Sequence, residues 1–197
     1  MRVSQERMAE NHERILDAAT RLFREHGFDG IGVADVMKAA GMTHGGFYGH
    51  FASKEALMEA ASGRAVDDFA QRWETLATEN PDDAAAALTR TYLSRRHCDA
   101  LDQGCPVAAL AIDAPRQAPA VRRRLTDGLR GMIGRLSDML PGRTRAVRRQ
   151  AAVAHCASMV GALVLARMVD DAAFSKEILN TVAASLLRSD PKREDAR

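Results

Sequence analysis

From Val33 to Lys54 the chain reads VADVMKAAGMTHGGFYGHFASK. Val33, Val36, Met37 and Ala40 recur at i, i+3, i+4 and i+7, the apolar face of a short helix. Gly41 then stands where a left-handed cap is easiest to adopt, and Met42 can fold back on Met37. Thr43 is a suitable N-cap for a second short helix, expected from His44 to His50. Two short helices with a glycine-containing turn between them read as a helix-turn-helix, whose second helix is free to enter a DNA major groove.

That second helix carries Gly45, Gly46 and Gly49, each unfavourable in a helix interior by roughly 1 kcal/mol against alanine. A helix so short and so glycine-rich needs tertiary anchors. Phe47 and Phe51, four apart, are the expected ones. The other side would present His44, Gly45, Gly46, Tyr48 and His50, a surface thin enough for close backbone approach to a ligand. The alternative is a loosely helical loop with solvated histidine and tyrosine side chains.

Upstream, Asn11 to His26 is expected to form the first helix, with Ile15, Leu16, Ala19, Leu22 and Phe23 inward. Gly27 would end it and let Phe28 contact Phe23. The run from Arg14 to Leu57 resembles the DNA-binding domain of the TetR family of bacterial transcriptional regulators. The matching residues are Ile15-Leu16-Asp17-Ala18-Ala19, Phe23, Gly27-Phe28, Ala40-Gly41, Phe47-Tyr48-Gly49-His50-Phe51 and Ser53-Lys54-Glu55. The resemblance implies a homodimer on a near-palindromic double-stranded DNA operator and a divergent helical C-terminal domain that binds a small effector. Within that frame, Thr43 caps the recognition helix, His44, Gly45 and Gly46 approach bases, and Tyr48, His50 and Lys54 hold phosphates. Residues 1–10 would be an arm whose Arg2 and Arg7 reach DNA, or else a solvated tail. Gly32 departs from the family's usual Ser or Thr cap, and Gly46 and Gly49 replace larger residues, so fewer side chains are available to read bases.

Composition agrees with a folded helical protein. Of 197 residues, 46% are hydrophobic and 5% aromatic, enough for a core and against wholesale disorder. No uninterrupted apolar run reaches the roughly 18 residues of a membrane span, and the N-terminus has no signal-peptide pattern. The expected location is the cytoplasm, with no membrane partner. Charge gives no help: net charge is +2, and positions 1–60 hold seven basic against nine acidic residues. DNA binding would therefore depend on local phosphate neutralisation.

The expected fold class is all-α. A helix-turn-helix domain would occupy residues 1–53, a helical ligand-binding and dimerisation domain residues 54–190, and a disordered tail residues 191–197. Ser53 should cap a long linking helix from Lys54 to Thr78, with Gly63 its weak point. Asn80-Pro81-Asp82-Asp83 looks like the start of a helix reaching Arg96. His97 to Pro106 would be a polar loop, Val107 to Asp113 a short helix, and Pro119 to Leu140 a longer one. Thr144 to Val169 and Ser175 to Arg188 complete the chain and are the dimerisation candidates. Ala151, Ala154, His155, Ser158, Ala162, Leu165 and Val169 follow helical spacing on the first, and Ile178, Val182 and Leu186 do so on the second. The alternative is that both helices only complete a monomer core.

Three cysteines in such a chain imply no disulfide framework. Cys156 reads as an apolar filler. Cys105 precedes a short helix, a position expected to lower its thiol pKa, and regulators resembling this one include some that sense oxidants or electrophiles in this region. Cys98 would then be the resolving thiol. A plain loop cysteine is the alternative, and a metal site from His97, Cys98, Asp99, Asp102 and Cys105 matches no standard zinc spacing. The arginines between Arg116 and Arg149 read as a solvated face opposed only by Asp127 and Asp138. No phosphate-binding glycine loop, paired carboxylates or oriented thiol base indicates an enzyme, and no cofactor is implied. Two other classes remain: a thiol- or metal-sensing helical protein, and a protein-binding adaptor.

Overall fold

The structure is a computed structural model that describes residues 5–188. Arg2 and the tail after Asp190 lie outside the described residues. Within them the chain is helical, with no strand. The helices are α1 (Gln5–His26), α2 (Val33–Ala39), α3 (Lys54–Glu79), α4 (Ala84–Tyr92), α5 (Arg95–Asp99), α6 (Pro106–Leu110), α7 (Pro119–Met139), α8 (Arg145–Met168) and α9 (Ala172–Arg188). His44–Gly49 and Ala114–Arg116 form 3-10 turns.

Two apolar clusters organise the molecule. The first joins Ile15, Phe23 and Phe28 with Val36, Met37, Phe47 and Phe51. It also takes Leu57, Met58 and Ala61 from α3 and Leu110, Val121 and Leu125 from the second half of the chain. The second cluster gathers Phe69, Trp73, Tyr92, Cys105, Leu136, Met159 and Leu163. Helix α3 runs through both, giving Leu57, Met58 and Ala61 to one and Phe69 and Trp73 to the other. Salt bridges from Arg64 to Glu13 (2.6 Å) and Asp17 (2.9 Å) fasten α3 to α1.

Several helix ends differ from expectation for local reasons. Helix α1 starts at Gln5 rather than Asn11, because Gln5 to Glu10 are good helix formers with an acid in the first turn. Much of the expected arm is therefore helix. The Asn80 side chain does not open α4. Its amide donates to the Leu76 carbonyl at 2.9 Å and closes α3, leaving Pro81 in a turn and Asp83 at the α4 N-cap. Helix α4 stops at Tyr92, and Ser94 caps the separate α5 by accepting from the His97 N–H. What read as a polar loop is thus partly helical. Helix α9 begins three residues early, since Asp171 accepts from the Ala173 and Phe174 N–H groups.

The arginine-rich stretch stays solvated but meets more acidic partners than its sequence neighbours imply. Helix α3 brings Glu74 to Arg135 (2.6 Å) and Glu59 to Arg124 (3.7 Å), while Asp113 pairs with Arg116. Helix α8 is long and apolar enough to cross a membrane by length and composition alone. Here it packs between α7 and α9, with Ala152, Cys156, Met159 and Leu163 in the second cluster.

Candidate functional site

Helix α2 and the turn after it are built as the glycine pattern requires. Gly41 has φ +70°, the Gly41 N–H reaches the Lys38 carbonyl, and the Met42 N–H reaches Met37 at 2.9 Å. Arg14 of α1 donates to the Ala40 carbonyl at 2.6 Å and fixes this corner. At the other end of α2, the absence of a capping side chain at Gly32 is offset by Asp35, whose carboxylate accepts from the Gly32 N–H at 2.9 Å.

The recognition element departs from expectation in two respects. His44–Gly49 is a 3-10 turn, and the Thr43 side chain makes no capping hydrogen bond, although Thr43 is the N-cap residue. Three glycines in six residues favour the short, tight form over an α-helix. Phe47 is fully buried and stacks on Phe51 at 5.9 Å. Tyr48 is thrown outward, 70% exposed. His44, Gly45 and Gly49 are exposed beside it, and an added Cβ at Gly45 or Gly49 would meet nothing within 4 Å. The surface offered is mostly backbone, edged by one phenol and two imidazoles.

His50 has a partner the sequence did not single out. His12 of α1 stacks on Phe51 at 4.4 Å and lies 6.2 Å from His50. Burial, then the nearby His12, push the His50 pKa down. Lys54 is only partly available for DNA, because its ammonium donates to the Phe28 carbonyl at 2.8 Å. Two of the nine acidic residues that weigh against DNA, Glu13 and Asp17, are turned to Arg64.

The second site is the segment from His97 to Cys105. Three arginines from three helices hold its carbonyls. Arg167 of α8 reaches Cys98 (3.0 Å) and His97 (2.9 Å), Arg72 of α3 reaches Gln103 (2.8 Å), and Arg24 of α1 reaches Gly104 (3.4 Å). Arg24 is buried, and that burial, more than the neighbouring Arg72, lowers its pKa. His97 closes the segment from within: Nδ1–H donates to the Tyr92 carbonyl at 2.6 Å, and Nε2 accepts from the Cys105 N–H at 3.1 Å. Farther on, Asp113 accepts from the Phe28 N–H at 3.3 Å. The segment thus touches the first domain through Arg24, and the turn behind it through Phe28. The sequence signal for Arg24 was a charge four residues after Thr20 on the buried row of α1.

Cys105 does not behave as its position predicted. It is fully buried, and burial pushes its thiol pKa up. The Val107 and Ala108 N–H groups pull the other way, but a five-residue helix offers too little to win. The Tyr92 hydroxyl finds no nitrogen or oxygen partner and leans on this sulfur. Cys156 of α8 is raised to about 11 by burial and, second, by Cys105. Cys98 is buried, and none of the three cysteines is in a disulfide.

Of the expected dimer residues, Ala151, Ala154, Ser158 and Leu165 are exposed on α8. With Val147, the half-buried Gly161 and Met168 they form a stripe of alternating four- and three-residue steps, small at its centre. Val169, Ile178, Val182 and Leu186 are partly exposed. His155 and Ala162 are not on this face. Both are buried, and His155 Nε2 lies 2.8 Å from the Thr89 hydroxyl. They sit one residue past the stripe, which turns them about 100° toward the core.

Comparison with known proteins bears on both halves. Residues 15–61 match the profile of the bacterial regulatory proteins of the tetR family. The HTH-type transcriptional repressor NemR of Escherichia coli is 28% identical over 134 residues, 66% of this chain and 67% of that relative. The HTH-type transcriptional repressor Rv1474c of Mycobacterium tuberculosis is 39% identical over 69 residues, 35% of this chain and 37% of the relative. The architecture superposes on the crystal structure of the reduced form of E. coli NemR with a TM-score of 0.77 at 23% identity, covering 92% of this chain and 98% of that one. A TetR regulator from Chloroflexus aurantiacus gives 0.77 at 24% identity, covering 93% and 97%.

Proposed function

This chain belongs to the tetR family of bacterial regulatory proteins, and from that premise we propose that it acts in the cytoplasm as a homodimeric repressor on a near-palindromic operator. The observation that carries this reading is the recognition element. A side-chain-poor turn projects from the fold on a buried Phe47, with His44, Tyr48 and the glycine backbone outermost. In this reading His44, Gly45 and Gly46 approach base edges. Tyr48, His50 and the N–H groups that Lys54 has left beyond Phe28 hold phosphates. Thr43 contributes its backbone position rather than a side-chain cap. Two copies meeting through the α8 stripe and α9 would set the elements about 34–36 Å apart, one helical turn of DNA.

Release is assigned to a small effector or to modification of Cys105, with Cys98 as the second thiol. Two observations support a trigger near this segment. Arg24 ties it directly to α1, and NemR, whose fold this chain shares, has been crystallised in a reduced form. Emptying the operator requires several kcal/mol of differential affinity between the two dimer states.

Fluorescence anisotropy with the protein's own upstream DNA against a scrambled duplex tests the repressor, at fixed salt and with reduced and oxidised protein. Specific binding that oxidant abolishes in wild type but not in Cys105→Ser supports the thiol route. Specific binding indifferent to oxidant leaves the effector route. His44→Ala is expected to change preference among operator variants, while Lys54→Ala weakens all of them alike. Uniform loss in both variants would refute the division between base and phosphate contacts.

A further inference from the structure

We propose that the cavity between α3, α4 and α5 binds a single-ring aromatic carboxylate, and that this is the effector; the assignment rests on the effector-released repressor described above. The cavity is about 260 Å³, small beside most ligand pockets and sized for one substituted ring. Its walls are aromatic. Phe69 and Trp73 lie 5.5 Å apart, and Tyr92 stands edge-on to both at 6.2 Å. His97 lies near-parallel to Phe69 at 5.9 Å. These rings pack on one another as one wall, and a flat ring entering the cavity meets that wall in offset or edge-on contact.

Charge selects the substituent. Arg72 and Arg96 line the cavity, and no aspartate or glutamate does. Asp68, one turn before Arg72, lines the adjoining groove instead. His97 adds no positive charge, since its two ring nitrogens are committed to Tyr92 and Cys105 as donor and acceptor. Arg72 lies 5.2 Å over the Phe69 ring and gives one N–H to the Gln103 carbonyl. Its planar fork still has donors for a carboxylate carried by a ring in the cavity. A carboxylate that draws Arg72 off Gln103 loosens the segment whose next carbonyl, Gly104, is held by Arg24 of α1. Occupancy is thereby coupled to the DNA-binding half.

Trp73 is the chain's one tryptophan and lines this cavity, so its fluorescence reports occupancy without DNA. The test titrates the full chain at fixed ionic strength with benzoate, benzamide and benzamidine, which share a shape and differ in charge. Benzoate is expected to give a saturable change. Benzamide should bind at least tenfold more weakly, and benzamidine should give none. The double variant Arg72→Gln, Arg96→Gln should bind benzoate no better than wild type binds benzamide, with its circular dichroism unchanged. Equal affinity for the three compounds, a flat benzoate titration, or a double variant that binds benzoate like wild type would each overturn the assignment. Operator binding is measured separately by anisotropy. A protein that binds its operator while the titration is flat loses only the ligand class. A protein that binds benzoate but no operator loses the repressor reading and with it the role of effector.

Discussion

His97 sits between two backbone groups that ask opposite things of its ring, a carbonyl that needs a donor and an N–H that needs an acceptor. Only the neutral imidazole satisfies both. Burial accordingly holds its pKa below the ordinary 6.5. An unfolded chain takes up this proton before the folded one does, so the stability it contributes is complete above about 6.5 and is lost as pH falls through the depressed value. Thermal unfolding should show the melting temperature dropping as pH falls below about 6.5, and His97→Gln should flatten part of that slope. Cys105, beneath it, is buried and raised. Its alkylation by iodoacetamide at neutral pH should run at least tenfold slower than that of a thiol in an unfolded peptide, read by mass spectrometry of the labelled peptide. A rate as fast as the peptide's would mean that the segment opens readily and the buried form is a minor one. Neither result was legible in sequence. The distance from Cys105 to a helix start could be counted along the chain, but its burial depended on α8 arriving from fifty residues away.

At the scale of elements, what was legible and what was not divides by range. Gly41 and Gly27 adopt the left-handed cap their positions announced, at φ +70° and +75°, because a cap depends on the residues beside it. Phe47 and Phe51 anchor as their spacing implied. The turn that carries Phe47 came out as 3-10 because the three glycines gave an α-helix too little support, a matter of balance rather than of pattern. The face of α8 was misread by one residue at His155 and Ala162, since alanines lie all round that helix and hydrophobicity alone could not orient it. A test belongs to the recognition turn itself. Gly45 has φ outside the left-handed region and open space around it. Gly45→Ala should therefore leave stability unchanged or raise it by about 0.4–1 kcal/mol. On the proposed reading the same methyl stands where DNA would approach, so operator affinity should fall. Chemical denaturation and anisotropy read the two effects separately, and a destabilised variant would contradict the geometry.

For the whole molecule the two-fold is what matters. The α8 stripe presents Leu165 at 49% and Met168 at 71% exposed, apolar surface that a partner copy would cover. Leu165→Glu, placed there on both sides of the axis, should shift sedimentation toward the monomer and weaken operator binding more than tenfold, while the monomer keeps its helical circular dichroism. A dimer that survives would place the interface elsewhere. On the proposed reading, the linkage through α3, Arg24 and Phe28 would act within each half of the dimer, and both recognition turns would have to move for the operator to be lost.

The vacant positions at Gly45 and Gly49 bear on how such a regulator changes its allegiance over generations. A side chain added at either one meets no part of the protein, so the fold imposes no veto on what is written there. An arginine or asparagine able to reach a base edge would add about 1–3 kcal/mol of discrimination per bidentate contact. In a symmetric dimer one codon change alters both half-sites at once. On the proposed reading, the most glycine-rich part of the molecule is therefore also its most rewritable, a reading head left largely blank while the proposed effector cavity, held in another region, stays as it was.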